Sequence, residues 1–150
     1  MNSFKTLFRA PLLGLFALLM SPFLKAADLT IEIEGLKNTQ GKLQILVFAH
    51  EQAYKTYDTS NAYASVSKTI DTGVNAITFH NVPDGHYAIS LLHDENKNNQ
   101  MEVSRTKMPL EGYGTSNARD KYDELPFKRA RVNILNGNKT VKIQMFYMGK

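Results

Sequence analysis

Apolar and polar residues alternate in short runs along most of the chain. Leu29, Ile31 and Ile33 are separated by polar residues, and this two-residue period predicts a strand with one buried face. The run at residues 42–49 is apolar on both faces toward its end, which predicts a central strand. Residues 50–61 predict a loop or a short helix. About seven strands are predicted, over residues 29–33, 42–49, 65–71, 75–80, 86–92, 130–135 and 140–148.

Two turn signals fall between these runs and predict antiparallel hairpins. Val82-Pro83-Asp84-Gly85 combines a proline, which fixes φ, with an Asp-Gly pair suited to tight turns, so residues 76–80 and 86–92 are expected to pair. Asn136-Gly137-Asn138 predicts a second hairpin between the last two strands. Short strands and short turns, with no long helical period after residue 26, predict a single antiparallel all-β sandwich.

The same alternation assigns side chains to the core. Within each predicted strand, every second apolar residue shares one face, and that face must be buried. The predicted core positions are Ile77, Phe79, Ile89, Leu91, Ile143 and Met145.

The N-terminal segment, residues 1–26, has the layout of a secretory signal peptide. Lys5 and Arg9 precede an apolar segment, and a helix-breaking Ser-Pro pair follows it. The apolar segment is shorter than the roughly 20 residues that span a bilayer, so no transmembrane anchor is expected after processing. We therefore expect cleavage near Ala26, a periplasmic or secreted protein, and a mature β-sandwich domain over residues 27–150.

Composition adds two constraints on location and partners. The chain has no cysteine, so an exported form lacks disulfides, which suits a bacterial periplasm better than a disulfide-rich secreted scaffold. The 18 basic residues exceed the 14 acidic ones, but cleavage removes Lys5, Arg9 and Lys25 and no acidic residue, leaving 15 against 14. A domain with such balanced charge gives no reason to expect nucleic acid as a partner.

Oxygen-bearing side chains recur at every second residue directly after the predicted strand at residues 86–92. They open the longest stretch without a strand pattern, residues 94–126, and a loop of that length in a compact domain is usually functional or disordered. The spacing resembles positions one, three, five, seven and nine of a calcium-binding loop. The predicted Ca²⁺ ligands are Asp94, Asn96, Asn98, the Gln100 carbonyl and Glu102.

Two departures from the calcium-loop pattern predict weak binding. Asn99 lies where the sharp turn prefers glycine, although asparagine tolerates a left-handed backbone better than most residues. Arg105 replaces the bidentate glutamate of the pattern, which places any affinity in the roughly 10⁻⁴–10⁻³ M range. The alternative is a solvated loop, because Asp and Asn side chains also form turns by bonding their own backbone.

A second polar stretch, residues 109–117, follows closely along the chain. Its Gly112 and Gly114 are expected to form a backbone turn, with Tyr113 covering one end of the sandwich. Together the two stretches supply the candidate ligand-binding or functional loop residues: His93, Glu95, Glu111, Tyr113, Ser116 and Asn117.

Catalysis is one interpretation of these residue types. A hydrolase or isomerase would use His93 with Asp94, Glu95 or Glu111 as acid–base groups, and Ser116 is a candidate nucleophile. The sequence contains no G-x-S-x-G, H-E-x-x-H or phosphate-loop motif, so no residue is assigned as catalytic. The favoured interpretation of His93 is a strand-end residue that donates one ring nitrogen to a backbone carbonyl.

Several segments together resemble the bacterial family called domain of unknown function 2141. They are Phe79–Ala88, His93–Asn98, Pro109–Asn117, Pro126-Phe127 and Ala130, and the resemblance extends over essentially the whole expected mature domain. The resemblance implies an exported protein without an assigned activity. Loops of that family usually read N-x-N-G followed by a carboxylate, whereas here Asn99 replaces the glycine and Glu102 supplies the carboxylate. The phrase VPDGHYAI is also loosely similar to transthyretin-like and collagen-adhesin B-type sandwiches, which implies a transthyretin-like or immunoglobulin-like fold.

Three functions therefore stay open at this point. The first is an exported, non-enzymatic binding or accessory module for an unknown small molecule, with Ca²⁺ ordering its loop. The second is the hydrolase or isomerase, and the third is a structural envelope protein that binds another envelope protein through a strand edge. The first two differ in whether His93, Glu95 and Glu111 converge on a concave pocket or make backbone contacts.

Overall fold

Two β-sheets pack face to face in the computed structural model, which describes residues 26–71 and 76–148. The smaller sheet has the order β4-β1-β8, and the larger has the order β3-β2-β5-β6, with β7 also paired to β5. The elements are β1 (Ala26–Glu34), β2 (Lys42–Phe48), α1 (Glu51–Thr56), a 3-10 turn (Thr59–Asn61), β3 (Ala64–Thr69), β4 (Ala76–Pro83), β5 (Gly85–Asp94), β6 (Gly112–Thr115), α2 (Phe127–Ala130), β7 (Val132–Ile134) and β8 (Lys139–Gln144). The predicted all-β sandwich is confirmed.

The core lies between the two sheets, as the alternating pattern predicts. The side chains of Leu29, Ile31 and Ile33 on β1 are buried against residues of β2 and β5. Five of the six predicted core positions are buried, and Phe79 is partly buried against the same cluster. A second, smaller cluster under the two helices contains Phe48, Tyr54, Ala88, Phe127 and Ala130.

The pairing of β1 with β8 departs from the predicted all-antiparallel arrangement. Leu29 pairs with Lys139 and Ile33 with Ile143 in a parallel register, while β1 pairs antiparallel with β4 on its other side. Parallel pairing needs a long connection, and here that connection is nearly the whole domain.

Both predicted hairpins are wrong. β4 pairs with β1 and β5 pairs with β2, so the turn at Asp84 carries the chain from one sheet to the other. β7 pairs with β5 and β8 pairs with β1, so the turn at Asn136 also crosses between sheets. Turn residues bend the backbone equally well in a hairpin and in a sheet-to-sheet corner, which is why they did not distinguish the two. The two corners touch, since the Asn136 amide donates to the Asp84 carboxylate at 3.3 Å.

The loop-rich part of the chain holds one strand that the pattern missed. Residues 112–115, expected to be a turn, form β6 and pair with β5 from Ser90 to His93. Apart from Ala26, the predicted signal peptide lies outside the described residues and stays a prediction. Across the two described ranges, no helix is long and apolar enough to cross a membrane.

Candidate functional site

The end of β5 places His93 in the interior, where both of its ring nitrogens have partners. The side chain is fully buried. Its Nε2 lies 2.7 Å from the Gln40 carbonyl oxygen, which only accepts, so Nε2 donates. Its Nδ1 accepts from the Tyr147 hydroxyl at 2.6 Å, and the Lys37 amide donates to that hydroxyl oxygen at 3.2 Å. The favoured interpretation of His93, a strand-end residue that donates to a backbone carbonyl, is therefore confirmed. The side chain connects β5 to the β1–β2 connection and to the segment after β8.

Asp94, the next residue, organises the loop that follows it. The side chain is fully buried, and its two oxygens accept the backbone amides of Asn98 at 3.0 Å and Asn99 at 2.8 Å. The Gln44 amide adds a bond of 3.1 Å, and the Lys42 ammonium lies 3.6 Å from the same carboxylate. Burial of this carboxylate is thus balanced by four donors, one of them a cation.

Three further predicted calcium ligands, the side chains of Asn96, Asn98 and Glu102, bond to one another and to the loop backbone. The side-chain Oδ1 atoms of Asn96 and Asn98 accept the backbone amides of Asn98 and Gln100 at 3.0 and 2.8 Å. Their amide groups donate to Glu102 Oε1 at 2.7 and 2.9 Å. Asn99 has φ +65°, the left-handed conformation that its position in the turn requires. Hydrogen bonds alone account for the shape of this loop.

These contacts bear on the calcium hypothesis without testing it. A cation would have to replace several of the hydrogen bonds that these oxygens already accept. In the described part of the chain, no group of three or more histidine, aspartate and glutamate side chains is arranged to hold a metal ion. Calcium binding stays a prediction.

Two glycines in the second polar stretch allow β6 to pass close to the end of β8 and the residues that follow it. A Cβ on Gly112 would lie 2.3 Å from the Tyr147 ring, and one on Gly114 would lie 2.8 Å from the Gln144 carbonyl oxygen. Between them, Tyr113 exchanges backbone hydrogen bonds of 3.0 and 2.7 Å with Phe146, joining the two sheets. The Tyr113 hydroxyl donates to the Lys121 carbonyl. The expected turn is therefore a strand, and its glycines serve close packing.

Ser116 and Asn117 fasten α2 to the larger sheet. Ser116 is fully buried, and its hydroxyl donates to the Ala130 carbonyl at 2.6 Å and accepts the Ile89 amide at 2.9 Å. The Asn117 amide donates to the carbonyls of Arg129 and Arg131 at 3.0 and 3.1 Å. A serine committed to backbone groups on both sides does not have the geometry of an activated nucleophile.

Glu111 differs from Ser116 and Asn117 because one oxygen of its carboxyl group, Oε2, accepts no hydrogen bond from the described residues. The side chain is 4% exposed, and Oε1 accepts the Glu95 backbone amide at 3.0 Å. Oε2 is buried and has no hydrogen-bond partner among the described residues. Burial raises the pKa of Glu111 above its ordinary value of 4.5, the nearby backbone groups of Glu102 and Glu95 oppose the shift, and the Asp94 and Glu102 carboxylates add to it.

Glu111 lies in the wall of an open cleft between the β1–β2 connection and the loop after β5. The cleft has a volume of about 480 Å³. Within it, the Asn38 amide donates to Glu95 Oε1 at 2.8 Å, which fixes the position of that second carboxylate. We call it the acidic cleft and define it by Lys37, Asn38, Glu95, Glu102, Leu110 and Glu111.

The structure thus divides the predicted site residues into two groups. Glu95 and Glu111 converge on the acidic cleft together with Glu102, whereas His93, Ser116 and Asn117 make backbone contacts elsewhere. Sequence reasoning missed the contribution of the β1–β2 connection, namely Lys37 and Asn38. In the sequence this segment reads only as a turn between two glycines.

Fold and site together define an all-β sandwich with an acidic cleft at one end. A family described as "Uncharacterized protein conserved in bacteria (DUF2141)" matches residues 31–143. The chain belongs to this family, as the resemblance of its motifs predicted. No curated protein and no solved structure matches the chain. The looser resemblance to transthyretin-like and collagen-adhesin sandwiches is not confirmed.

Proposed function

We propose that the protein is an exported, non-catalytic binding module whose ligand site is the acidic cleft. One observation carries this proposal: the side chains of Glu95, Glu102 and Glu111 line one open cleft of about 480 Å³ between the β1–β2 connection and the loop after β5. A buried polar atom without a hydrogen bond costs free energy, commonly about 1–3 kcal/mol. Glu111 Oε2 bears that cost inside the wall, and the partly exposed side chains of Glu95 and Glu102 are the carboxylates that a ligand in the cleft would contact.

The contacts of the other candidate residues support binding over catalysis. A general base needs a nitrogen or oxygen within reach of substrate, and both nitrogens of His93 are bonded inside the protein. A nucleophile needs an exposed oxygen and an adjacent base, whereas the Ser116 hydroxyl is buried and bonds to backbone groups of Ile89 and Ala130. The buried polar residues of the two stretches mainly form hydrogen bonds that hold neighbouring elements together.

The third hypothesis, a structural envelope protein, would use a different part of the surface. β3 and β4 are edge strands, so their outer backbone groups are available for a partner strand. The acidic cleft has the stronger case, because it is concave and lined by three carboxylate side chains, whereas an edge strand by itself does not identify a partner.

Nuclear magnetic resonance titration of the purified protein tests the proposed site. We expect at least one member of a panel of small cations, anions and neutral polyols to cause saturable shifts at the amides of Glu95, Glu102 and Glu111. Leu110→Trp should block them, since Leu110 lines the cleft and is 49% exposed. Leu135→Trp is the matched control, because Leu135 is exposed to a similar extent, 54%, and does not line the cleft.

Two outcomes would contradict the proposal. In the first, no compound of the panel produces saturable shifts at the cleft amides. In the second, shifts appear there but are unaffected by Leu110→Trp in a variant whose melting curve shows that it is folded.

A further inference from the structure

We infer that the free edge of β8 is an interaction surface for an extended, acidic segment of another protein, which adds to the three-stranded sheet as a fourth strand. The surface is separate from the acidic cleft, so the inference does not depend on the proposed function. Three features carry it: the open edge of β8, the groove beside that edge and the positive charge of the groove. We call this groove the basic groove and define it by residues 131–133, residues 139–142 and Asn117.

One edge of β8 is open because β8 is the last strand of its sheet. The order of the sheet is β4-β1-β8, so β1 covers only one edge of β8. The Met145 amide donates to the Glu34 carbonyl of β1 at 2.8 Å, and successive residues of a strand turn their backbone groups to opposite edges. The N–H and C=O groups of Val141 therefore face β1, and those of Thr140 and Lys142 face the open edge.

The fold already uses this edge of the chain at one position beyond β8. Phe146 exchanges backbone hydrogen bonds of 3.0 and 2.7 Å with Tyr113 of β6 on the side away from β1. No strand in the described ranges pairs with Thr140 or Lys142 on that side. An incoming strand would therefore continue along β8 a pairing that β6 makes only at Phe146.

Space for another strand lies directly beside the open edge. The basic groove has a volume of about 410 Å³ and is lined by β8 on one side and by residues of β7, which belongs to the other sheet, across from it. The open edge of a strand presents both N–H donors and C=O acceptors, which match the backbone of an extended peptide. A small anion only accepts hydrogen bonds and would leave the outward carbonyls of Thr140 and Lys142 without a donor.

The positive charge of the groove determines the chemistry of the partner. Its described lining includes Arg131, Lys139 and Lys142 and no acidic residue. Lys142 pairs with Glu32 and Glu34 at 3.5 and 3.3 Å, whereas Arg131 and Lys139 form no ion pair with any described residue. Carboxylates of an incoming strand would pair with these two cations, and such complementarity selects one partner over others.

The same charges make two other occupants of the groove unfavourable. A second copy that paired edge to edge through β8 would bring Lys139 and Lys142 into one sheet with the same lysines of its partner. Residues 1–25 include three basic residues and no acidic one, so they would add positive charge to a positive groove. Lysines on an edge strand commonly prevent indiscriminate pairing. An acidic strand is the kind that these lysines attract instead of repelling.

Titration with short peptides tests the inference. Three blocked peptides of about eight residues are compared: alternating glutamate and threonine, alternating lysine and threonine, and alternating glutamate and proline. The third keeps the negative charge and loses the amide donors and the strand conformation. At neutral pH and low ionic strength, the glutamate–threonine peptide should cause saturable shifts at the amides of Thr140 and Lys142 in the nuclear magnetic resonance spectrum. The other two peptides should bind at least about tenfold more weakly.

Hydrogen exchange distinguishes strand addition from attraction by charge alone. In the free protein, the amides of Thr140 and Lys142 should exchange faster than those of Val141 and Ile143, because they face the open edge. The glutamate–threonine peptide should slow the exchange of Thr140 and Lys142. Inorganic phosphate, the probe for a small-anion site, should not slow it.

Matched double variants separate the groove from general attraction of an acidic peptide. Arg131→Gln combined with Lys139→Gln removes the two unpaired cations and should weaken binding of the glutamate–threonine peptide by about tenfold. Arg105→Gln combined with Lys107→Gln makes the same change of net charge at two exposed residues that do not line the groove, and it should leave the affinity unchanged. Melting curves confirm that both double variants are folded.

Each contrary result overturns the inference for a different reason. Equal binding of the glutamate–proline peptide, or slowed exchange with phosphate, means a site for anions and not for a strand. Equal binding of the lysine peptide means that the edge does not select by charge. Equal loss of affinity in the two double variants means nonspecific attraction. If the glutamate–threonine peptide causes no saturable shift at Thr140 and Lys142, the edge does not bind acidic strands.

Discussion

His93, Asp94, Glu111 and Ser116 come from the two motifs that stand out in the sequence, and all four are buried. The polar groups of His93, Asp94 and Ser116 have hydrogen-bond partners, whereas one oxygen of Glu111, Oε2, has none within the described ranges. Buried polar side chains are usually fully bonded, and in the described part of the chain Ser90 Oγ is the other buried side-chain atom without a partner.

Replacing Glu111 should change how the stability of the protein depends on pH. Because burial raises the pKa of Glu111 in the folded state, the stability associated with its protonation is present below its ordinary value of 4.5. It is lost as the pH rises through the folded-state pKa. Glu111→Gln removes this titration, so its melting temperature relative to wild type should increase as the pH rises from below 4.5 to neutrality. Parallel melting curves at every pH would show that the carboxyl is not strained by burial.

Gly112 should be intolerant of a methyl group. Its Cβ would lie 2.3 Å from a ring atom of Tyr147, so the ring or the β6 backbone must move. Gly112→Ala should lower the free energy of unfolding by about 1–3 kcal/mol, the usual range for overpacking. Denaturant unfolding measures this loss. Adding Tyr147→Ala should make the two effects non-additive, and strict additivity would mean that the ring is not the obstacle.

Among the elements, β5 has the largest number of neighbours, and its sequence was the easiest to interpret. It pairs with β2, β6 and β7, and its apolar residues gave a clear strand prediction. The predictions that failed are the pairings of β4 with β5 and of β7 with β8, because the true partners of these strands are distant in sequence. A turn such as that at Asp84 specifies a bend, and only the packing of whole strands decides which sheet the chain enters next.

Within β5, Leu91 and Leu92 provide a test of the face assignment. Leu91 is 3% exposed in the main core, whereas Leu92 points to the other face and is partly exposed. Leu91→Ala should cost about 2–5 kcal/mol of stability, because it leaves a cavity in a closely packed core. Leu92→Ala should cost less. A denaturant midpoint that Leu91→Ala leaves unmoved would mean that this face is not core.

The loop after β5 is the element on which the calcium prediction depends. If only the folded form binds Ca²⁺, about a 100-fold excess over the Kd should add about 2.7 kcal/mol and raise the melting temperature. Identical melting curves of the wild type in millimolar Ca²⁺ and in chelator would end the calcium hypothesis. Asp94→Asn should lower stability in both conditions, because it removes the buried charge that faces the Lys42 ammonium at 3.6 Å.

At the scale of the whole molecule, the alternating pattern predicted the class of fold and most of its core, because burial of one strand face leaves a direct mark on the sequence. No comparable sequence pattern predicted the acidic cleft. Lys37 and Asn38 lie more than fifty residues from Glu95 and Glu111 along the chain, and they meet only because β2 pairs with β5. Sequence patterns of short period cannot report a site assembled in that way.

Export remains a prediction for the whole molecule and has a direct test. The mature protein should begin near Ala27 and be found in a periplasmic or secreted fraction. N-terminal sequencing of the purified product, combined with cell fractionation, measures both. A product that begins at Met1 and stays in the cytosol would contradict the prediction.

The parallel pairing of β1 with β8 also has a consequence for the time that folding takes. Asp28 and Asn138 are hydrogen-bonded at a separation of 110 residues, so the smaller sheet cannot be completed by local contacts. A chain that has not yet released β8 from the ribosome has β1 paired on one side only. Domains dominated by such distant contacts fold in roughly milliseconds to seconds, far more slowly than helical bundles. Of the described strands, β8 thus completes the sheet that β1 begins, and refolding of this protein should be slow for its size.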